Sequence, residues 1–415
     1  MTGLGGPTRR RLLTGSVGAA GMAALPAIAR AAAEPIRIGV IAEMSTLPGA
    51  AIPKGAQMAA DAINARGGVM GRPLQLIVYD DHVSAAEAVK AFQRLASQDK
   101  VAAVIGSFIS EVALALEPWS ARLKMPFMTS AASNDIAKQV HDDYERFKYT
   151  FQGWFTSYLI AESTCDSARD LLAGQLHMKT AVIMSEDAAW TTPLDAAYLE
   201  LLPKAGLDVR DHIRFSPDTT DFTPIFNQIE ARKPDVIITG ISHVGVVPTV
   251  QWAAQRVPIP MYGVNTQATS SDFWKDTHGA AEGANSQTCA GPDSAITPKA
   301  RPFTKAYRTR YGVVPAFCGY LSHDMVYMIA EAIARARSTA PDKMVTALEA
   351  TDHVGTIGRL EFYGRADRFT HAVRYGAALV PSVMIQWQKT AMKTIWPLRF
   401  ATAKVAFPSF VKLPS

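Results

Sequence analysis

The chain has 415 residues, 48% hydrophobic and 19% charged, with 42 Lys and Arg against 37 Asp and Glu. That composition is ordinary for a globular protein and excludes a disordered or fibrous chain. No Lys/Arg run beyond the first residues offers a nucleic-acid face, and Cys165, Cys289 and Cys318 form no C-x-x-C pair, so a zinc or dithiol motif is unsupported.

The first residues read as an address. Thr8-Arg9-Arg10-Arg11-Leu12-Leu13 is a twin-arginine pattern, and residues 12–29 are weakly apolar. Ala29-Arg30-Ala31 and Ala31-Ala32-Ala33 both fit a small-x-small cleavage site. Gly15, Gly18, Gly21 and Pro26 make the stretch a poor membrane span. Residues 1–33 are thus expected to be a signal peptide for twin-arginine export to the periplasm. No Cys stands directly after the apolar stretch, so a lipid anchor is not expected, and the mature chain is expected to begin near Glu34. Those residues hold four Arg and no acid, which leaves 38 basic against 37 acidic side chains, a net of +1.

From there strands and helices alternate. Strands are expected at 36–41, 74–79, 101–105 and 126–129, with helices at 54–66, 84–98 and 111–123. Gly67 and Gly68 stop the first helix, and Ser84 with Glu87 reads as a capping box for the second. The pattern restarts with a long helix at 157–177. Strands follow at 180–184, 207–215, 235–239 and 259–262, interleaved with helices at 193–205, 222–232 and 246–256. The tail is less regular, with helices at 298–311, 319–337 and 342–350 and an extended region from 358 to about 388. Two βα series imply two doubly wound parallel-sheet α/β lobes joined by a short multi-segment hinge. The expected division is 34–148 with 289–370 and 149–288 with 371–415. One disulfide is possible in an exported protein, Cys289 with Cys318, the alternative being three buried thiols.

Open parallel sheets bind ligands beyond the carboxyl ends of their strands. The candidate loops are 42–49, 106–110 and 130–135 in the first series and 185–190, 240–245 and 263–266 in the second. They are rich in Ser, Thr, Asn, His and Trp, which suits hydrogen bonding to a small polar molecule beside an aromatic wall.

Several strings are familiar. Ile36-Arg37-Ile38-Gly39-Val40, Ala62-Ile63-Asn64-Ala65-Arg66-Gly67-Gly68-Val69-Met70-Gly71-Arg72-Pro73, Tyr79-Asp80-Asp81 and Asp218-Thr219-Thr220-Asp221-Phe222 resemble the periplasmic leucine/isoleucine/valine-binding family, as do Lys233-Pro234-Asp235-Val236 and Phe303-Thr304-Lys305-Ala306-Tyr307. The likeness runs from about residue 36 to 368. It implies a type I periplasmic binding fold, a monomeric receptor for the permease subunits of an ABC importer, and hinge closure around one ligand. It implies no catalysis, cofactor, metal or nucleic acid.

On the same resemblance the ligand carboxylate falls to Ser110, the backbone of Ala131, and Ser133. Ser110 and Ser133 can equally cap helices. Trp190 matches the aromatic residue of the second lobe, with a plain core Trp as the alternative. Ser242 or His243 stands where another aromatic is usual, and Asn265 where the family carries an ammonium-binding acid. A neutral amide supplies about 1 kcal/mol there, against roughly 4 kcal/mol for a carboxylate at close range. Unless Glu43, Glu186 or Asp187 replaces that acid, the expected ligand is an organic or aromatic acid or an amide rather than a branched-chain amino acid. Val83 and Ile109 replace a disulfide that some members carry.

Two other classes compete. Gly240-Ile241-Ser242-His243-Val244-Gly245 approaches a nucleophile elbow, but its second Gly falls one position late. Asp80-Asp81-His82 has the look of an acid–base cluster, but neighbours on a strand point to opposite faces. A ligand sensor on the same fold, reporting to a regulator, is the remaining alternative, and fold alone does not separate it from transport.

Overall fold

The computed structural model describes residues 34–414; the twin-arginine pattern and both cleavage sites lie outside the described residues. β1 (Ile36–Ala42) is an apolar run broken only by Arg37, as a strand covered on both faces requires. α1 (Ile52–Asn64) ends where Gly67 and Gly68 take φ of 96° and 73°, and the Gly68 N–H closes onto the Ile63 carbonyl at 3.0 Å. After β2 (Leu74–Asp80), α2 (Ala85–Ser97) begins as its capping signal implies, with Ser84 Oγ accepting from the Glu87 N–H at 3.3 Å. β3 (Ala103–Gly106), α3 (Ser110–Leu123) and β4 (Phe127–Thr129) follow.

Between β4 and residue 157 three elements were not expected: α4 (Asn134–Asp142), α5 (Tyr144–Phe147) and β5 (Thr150–Gln152). α4 buries only Ile136, Ala137 and Val140, too few apolar positions to stand out in a polar stretch. β5 is too short to show alternation. It pairs in parallel with β4, so the chain stays with the first sheet to Gln152, past residue 148. The five parallel strands lie in the order β2-β1-β3-β4-β5.

α6 (Ser157–Ala168) was expected to continue to residue 177. It runs instead into a π-helical turn at Arg169–Ala173, where the Gly174 N–H reaches back five residues to the Arg169 carbonyl. β6 (Thr180–Glu186), α7 (Thr191–Leu201), β7 (Asp208–Phe215), α8 (Thr223–Arg232), β8 (Val236–Ile241), α9 (Val246–Gln255) and β9 (Met261–Asn265) build the second sheet. Its order, β7-β6-β8-β9, repeats the first four positions of the first sheet, and all its pairings are parallel.

The rest of the chain serves both sheets. α10 (Phe273–Asp276) leads to β10 (Asn285–Thr288), whose Asn285 and Ser286 side chains accept from the Gly263 and Asn265 N–H groups of β9. α11 (Ala300–Tyr311), α12 (Phe317–Ala336) and α13 (Pro341–Glu349) come next, and α12 packs along α1. A ribbon of β11 (His353–Val354) and β12 (Arg359–Leu360) precedes β13 (Val383–Gln388) and β14 (Ala391–Trp396), which form an antiparallel sheet with β10.

One expectation is corrected. Cys165, Cys289 and Cys318 are all free and buried, so Cys289 and Cys318 are not joined. The Cys289 thiol donates to the Phe317 carbonyl at 3.5 Å, and burial raises the pKa of all three. No helix among the described residues is long and apolar enough to cross a membrane.

Candidate functional site

In each sheet the order reverses beside the first strand: β1 lies between β2 and β3, and β6 between β7 and β8. The loops leaving the strands at such a reversal open a crevice, because their helices depart to opposite faces. A cavity lies between the two sets of strand ends, the position at which open α/β sheets take small molecules.

Its walls are aromatic and hydroxylic. Phe108, Trp154, Trp190 and Phe317 supply rings, with Phe108 edge-on to Phe317 at 5.9 Å. Ile109, Ile160 and Val264 add aliphatic surface. Ser110, Ser130, Ser242, Thr266, Thr269 and Thr288 line it with hydroxyls. Gln287 and His243 complete the polar contribution, and no Asp, Glu, Lys or Arg is among the lining residues.

On the first-sheet side Ser110 reaches the cavity as the first residue of α3, whose opening N–H groups have no partner in their own helix. Ser133 and Ala131 stand behind it. The Ser133 N–H donates to Ser110 Oγ at 3.1 Å, while Ser133 Oγ caps α4 by accepting from the Asp135 N–H at 3.3 Å. The Ala131 N–H donates to Thr129 Oγ1 at 3.0 Å. From this loop the cavity takes Ser130 and Ala132 instead. The loop after β1 does not reach it. There Glu43 is buried, bonded to Ser107 Oγ through Oε1 and without a partner at Oε2 among the described residues. Burial, then the nearby Asp81, pushes its pKa up to about 7.

On the second-sheet side Trp190, Ser242 and His243 all line the cavity, and all bind one carboxylate at its back, Glu186 at the end of β6. Glu186 Oε1 accepts from Trp190 Nε1 at 3.1 Å, Ser242 Oγ at 2.9 Å and His243 Nδ1 at 2.7 Å. Oε2 accepts from the N–H groups of Ser242 at 2.9 Å and His243 at 2.8 Å. Burial opposes ionisation of Glu186, but the His243 and Ser242 bonds hold its pKa below the usual carboxylate value. The same bond raises the pKa of His243 against its burial, with help from the charges of Glu186, Glu111 and Asp218.

Asn265 is not brought to the cavity wall. Its Nδ2 donates to the Gly245 carbonyl at 3.1 Å and to Thr249 Oγ1 at 3.4 Å, which ties β9 to the start of α9. A Cβ on Gly245 would lie 1.9 Å from Asn265 Oδ1, so the contact needs glycine there. Val264 and Thr266, on either side of Asn265, face the cavity. Of the acids that were considered as its replacement, Glu43, Glu186 and Asp187, none lines the cavity.

Sequence reasoning missed Trp154, Gln287, Thr288 and Phe317. Trp154 follows β5 and would have been found with that strand. The others arrive on returning segments that carry no local motif. One contact joins the chain neighbours of Ser110 and Trp190: Glu111 Oε1 accepts from the Ala189 N–H at 2.7 Å, linking α3 to the loop before α7.

Comparison with known proteins agrees with this geometry. Residues 35–378 match the family model described as "Periplasmic binding protein". Leu/Ile/Val-binding protein homolog 7 of Brucella abortus (strain 2308) is 25% identical over 401 residues, covering 93% of this chain and 98% of that relative. The crystal structure of LivJ, a branched-chain amino acid transporter substrate binding protein from Streptococcus pneumoniae in complex with isoleucine, gives a TM-score of 0.74 at 22% identity, over 90% of this chain and 100% of that chain. A solute binding protein of an ABC transporter from R. palustris, in complex with benzoate, gives 0.73 at 15% identity, over 91% and 99%. At these identities the structural likeness establishes the fold, that of type I periplasmic binding proteins.

Proposed function

The chain belongs to the periplasmic binding protein family, and we propose that it serves an ABC importer as the extracytoplasmic receptor for a small polar organic solute. The solute classes that fit are an amino acid, an organic or aromatic acid, and an amide. One observation carries the reading: one cavity is walled by strand-end loops of both sheets, with Glu111 and Ala189 bonded to each other beside the lining residues Ser110 and Trp190. The names of the relatives, one leucine/isoleucine/valine-binding and one holding benzoate, support it.

The lobes we assign are 34–152 with 289–372 and 153–288 with 373–415. Strand membership supports the first crossing after β5, and the Gln152–Ala372 bridge supports a third between Ala372 and β13. A ligand held by Ser110 on one lobe and by Trp190, Ser242 and His243 on the other contacts both only when they are shut. It therefore shifts the open–closed equilibrium by its differential affinity, and permease subunits would read the closed form of a monomeric receptor. Export by the twin-arginine route rests on Thr8-Arg9-Arg10-Arg11-Leu12-Leu13.

A thermal-shift screen over amino acids, small carboxylates and amides tests the proposal, since a ligand bound only by the folded state raises its melting temperature. Stabilisation by at least one class is expected; none by any class contradicts it.

A further inference from the structure

The charges around the cavity select among those classes. An ammonium group needs an acceptor with a free lone pair, and preferably a negative charge. Among the described residues Glu186 is the one ionised acid bonded to cavity-lining side chains, and its two oxygens already accept five hydrogen bonds. A carboxylate offers about four lone-pair sites, so none is left for a ligand. Glu43 is sealed behind Ser107. Asp187 has a side chain 72% exposed and pairs with Arg214, while Glu111 is engaged by Ala189.

An anion meets the opposite situation. His243 is the only titratable residue among those that line the cavity. Its Nδ1 is fixed on Glu186, so the proton there is committed and the second ring nitrogen, Nε2, has no partner among the described residues. The charged groups facing the ring are Glu186 on β6, Glu111 on α3 and Asp218 after β7, all acids that favour the imidazolium. In that form Nε2 carries a proton and presents a charged donor to the cavity. The four rings around it suit a planar or branched apolar body.

Resting on the solute-binding reading, we propose that the cleft takes a small carboxylate without an ammonium group and that His243 is its charged partner on the second-sheet side. Glu186 acts as a positioning residue: it holds the ring and its proton and leaves the ligand to Nε2.

The test uses matched pairs that differ only by the ammonium: leucine against isocaproate and phenylalanine against hydrocinnamate, with benzoate and its neutral analogue benzamide. Calorimetry on the purified protein is expected to show the carboxylate binding at least about 100-fold tighter than its amino-acid partner. Its affinity should fall by about tenfold per pH unit as His243 loses its proton. His243→Gln should weaken carboxylate binding by about 10- to 100-fold at the acidic end and flatten that pH profile. His243→Asn serves as the second variant if the first does not fold, and the wild-type profile decides on its own if neither does. Tighter binding of the amino acids, binding of the amide alone, or a flat wild-type profile overturns the inference and leaves solute binding standing. Binding of none of these probes overturns the inference, and the class-wide screen then decides the broader reading separately.

Discussion

Glu111, on the first turn of α3, accepts a hydrogen bond from the backbone N–H of Ala189 at 2.7 Å, and the two residues belong to opposite sheets. The lobe opening proposed above would break this bond, so its energy would enter ligand affinity through the closed state. An exposed bond of this kind contributes about 1 kcal/mol. Glu111→Ala should weaken solute binding by about fivefold and leave the melting temperature of the ligand-free protein nearly unchanged. Calorimetry with any solute found by thermal shift checks this, and unchanged affinity would remove the latch.

Trp190 has two separable roles. Its ring walls the cavity, and its Nε1 is one of five donors to Glu186. Trp190→Ala should cost about 2 kcal/mol or more of binding through lost apolar contact. Trp190→Phe keeps most of the wall but takes one donor from a buried carboxylate, so a smaller loss of about 1 kcal/mol is expected. Equal losses in the two variants would place the whole effect in the hydrogen bond.

The Thr288 hydroxyl is buried at 3% exposure, lines the cavity and has no hydrogen-bond partner among the described residues. An unmet buried hydroxyl costs about 1–3 kcal/mol. Thr288→Val keeps the shape and removes that group. It should raise the stability of the ligand-free protein by about 1 kcal/mol and lower affinity for a solute that bonds the hydroxyl. Melting temperature and affinity should thus move in opposite directions; movement in the same direction argues against a ligand contact.

Glu117 is buried with neither carboxyl oxygen bonded among the described residues. Burial, and less so Asp135, raises its pKa from 4.5 to about 9. The folded state therefore holds this proton more tightly than the unfolded chain. Its contribution to stability is fully present below 4.5 and is lost as the pH rises to about 9. At about 1.4 kcal/mol per pKa unit, the loss at neutral pH is about 3 kcal/mol. Melting temperatures across this range should fall more steeply for the wild type than for Glu117→Gln, and parallel curves would contradict the burial argument.

Much of the fold was legible because its signals are local. Ser84 before Glu87, the Gly67–Gly68 stop and the apolar run at β1 each report on their own neighbourhood. β5 and α4 were not, since three strand residues and three buried helical positions carry too little pattern. The site divides in the same way. Ser110, Trp190, Ser242 and His243 sit on strand-end loops, and the cavity meets them there. Asn265 lies in the expected loop, but its side chain turns to Gly245, a choice set by the approach of α9 rather than by any neighbour in sequence. Thr288 and Phe317 come from segments that cross back between the sheets, and only the folded chain shows where they go. The Glu186 cluster depends on the β6–β8 pairing that sets Ser185 against Gly240 and so brings the two strand ends together.

The central claim is that one solute is held between the two sheets. Titration calorimetry of the purified protein with a stabilising solute, repeated on the double variant Ser110→Ala/Trp190→Ala, tests it most directly because the two residues come from opposite sides of the cavity. One solute per chain in the wild type, with affinity reduced well over tenfold in the double variant, is the predicted result. Equal affinity in both proteins would place the solute elsewhere and contradict the account.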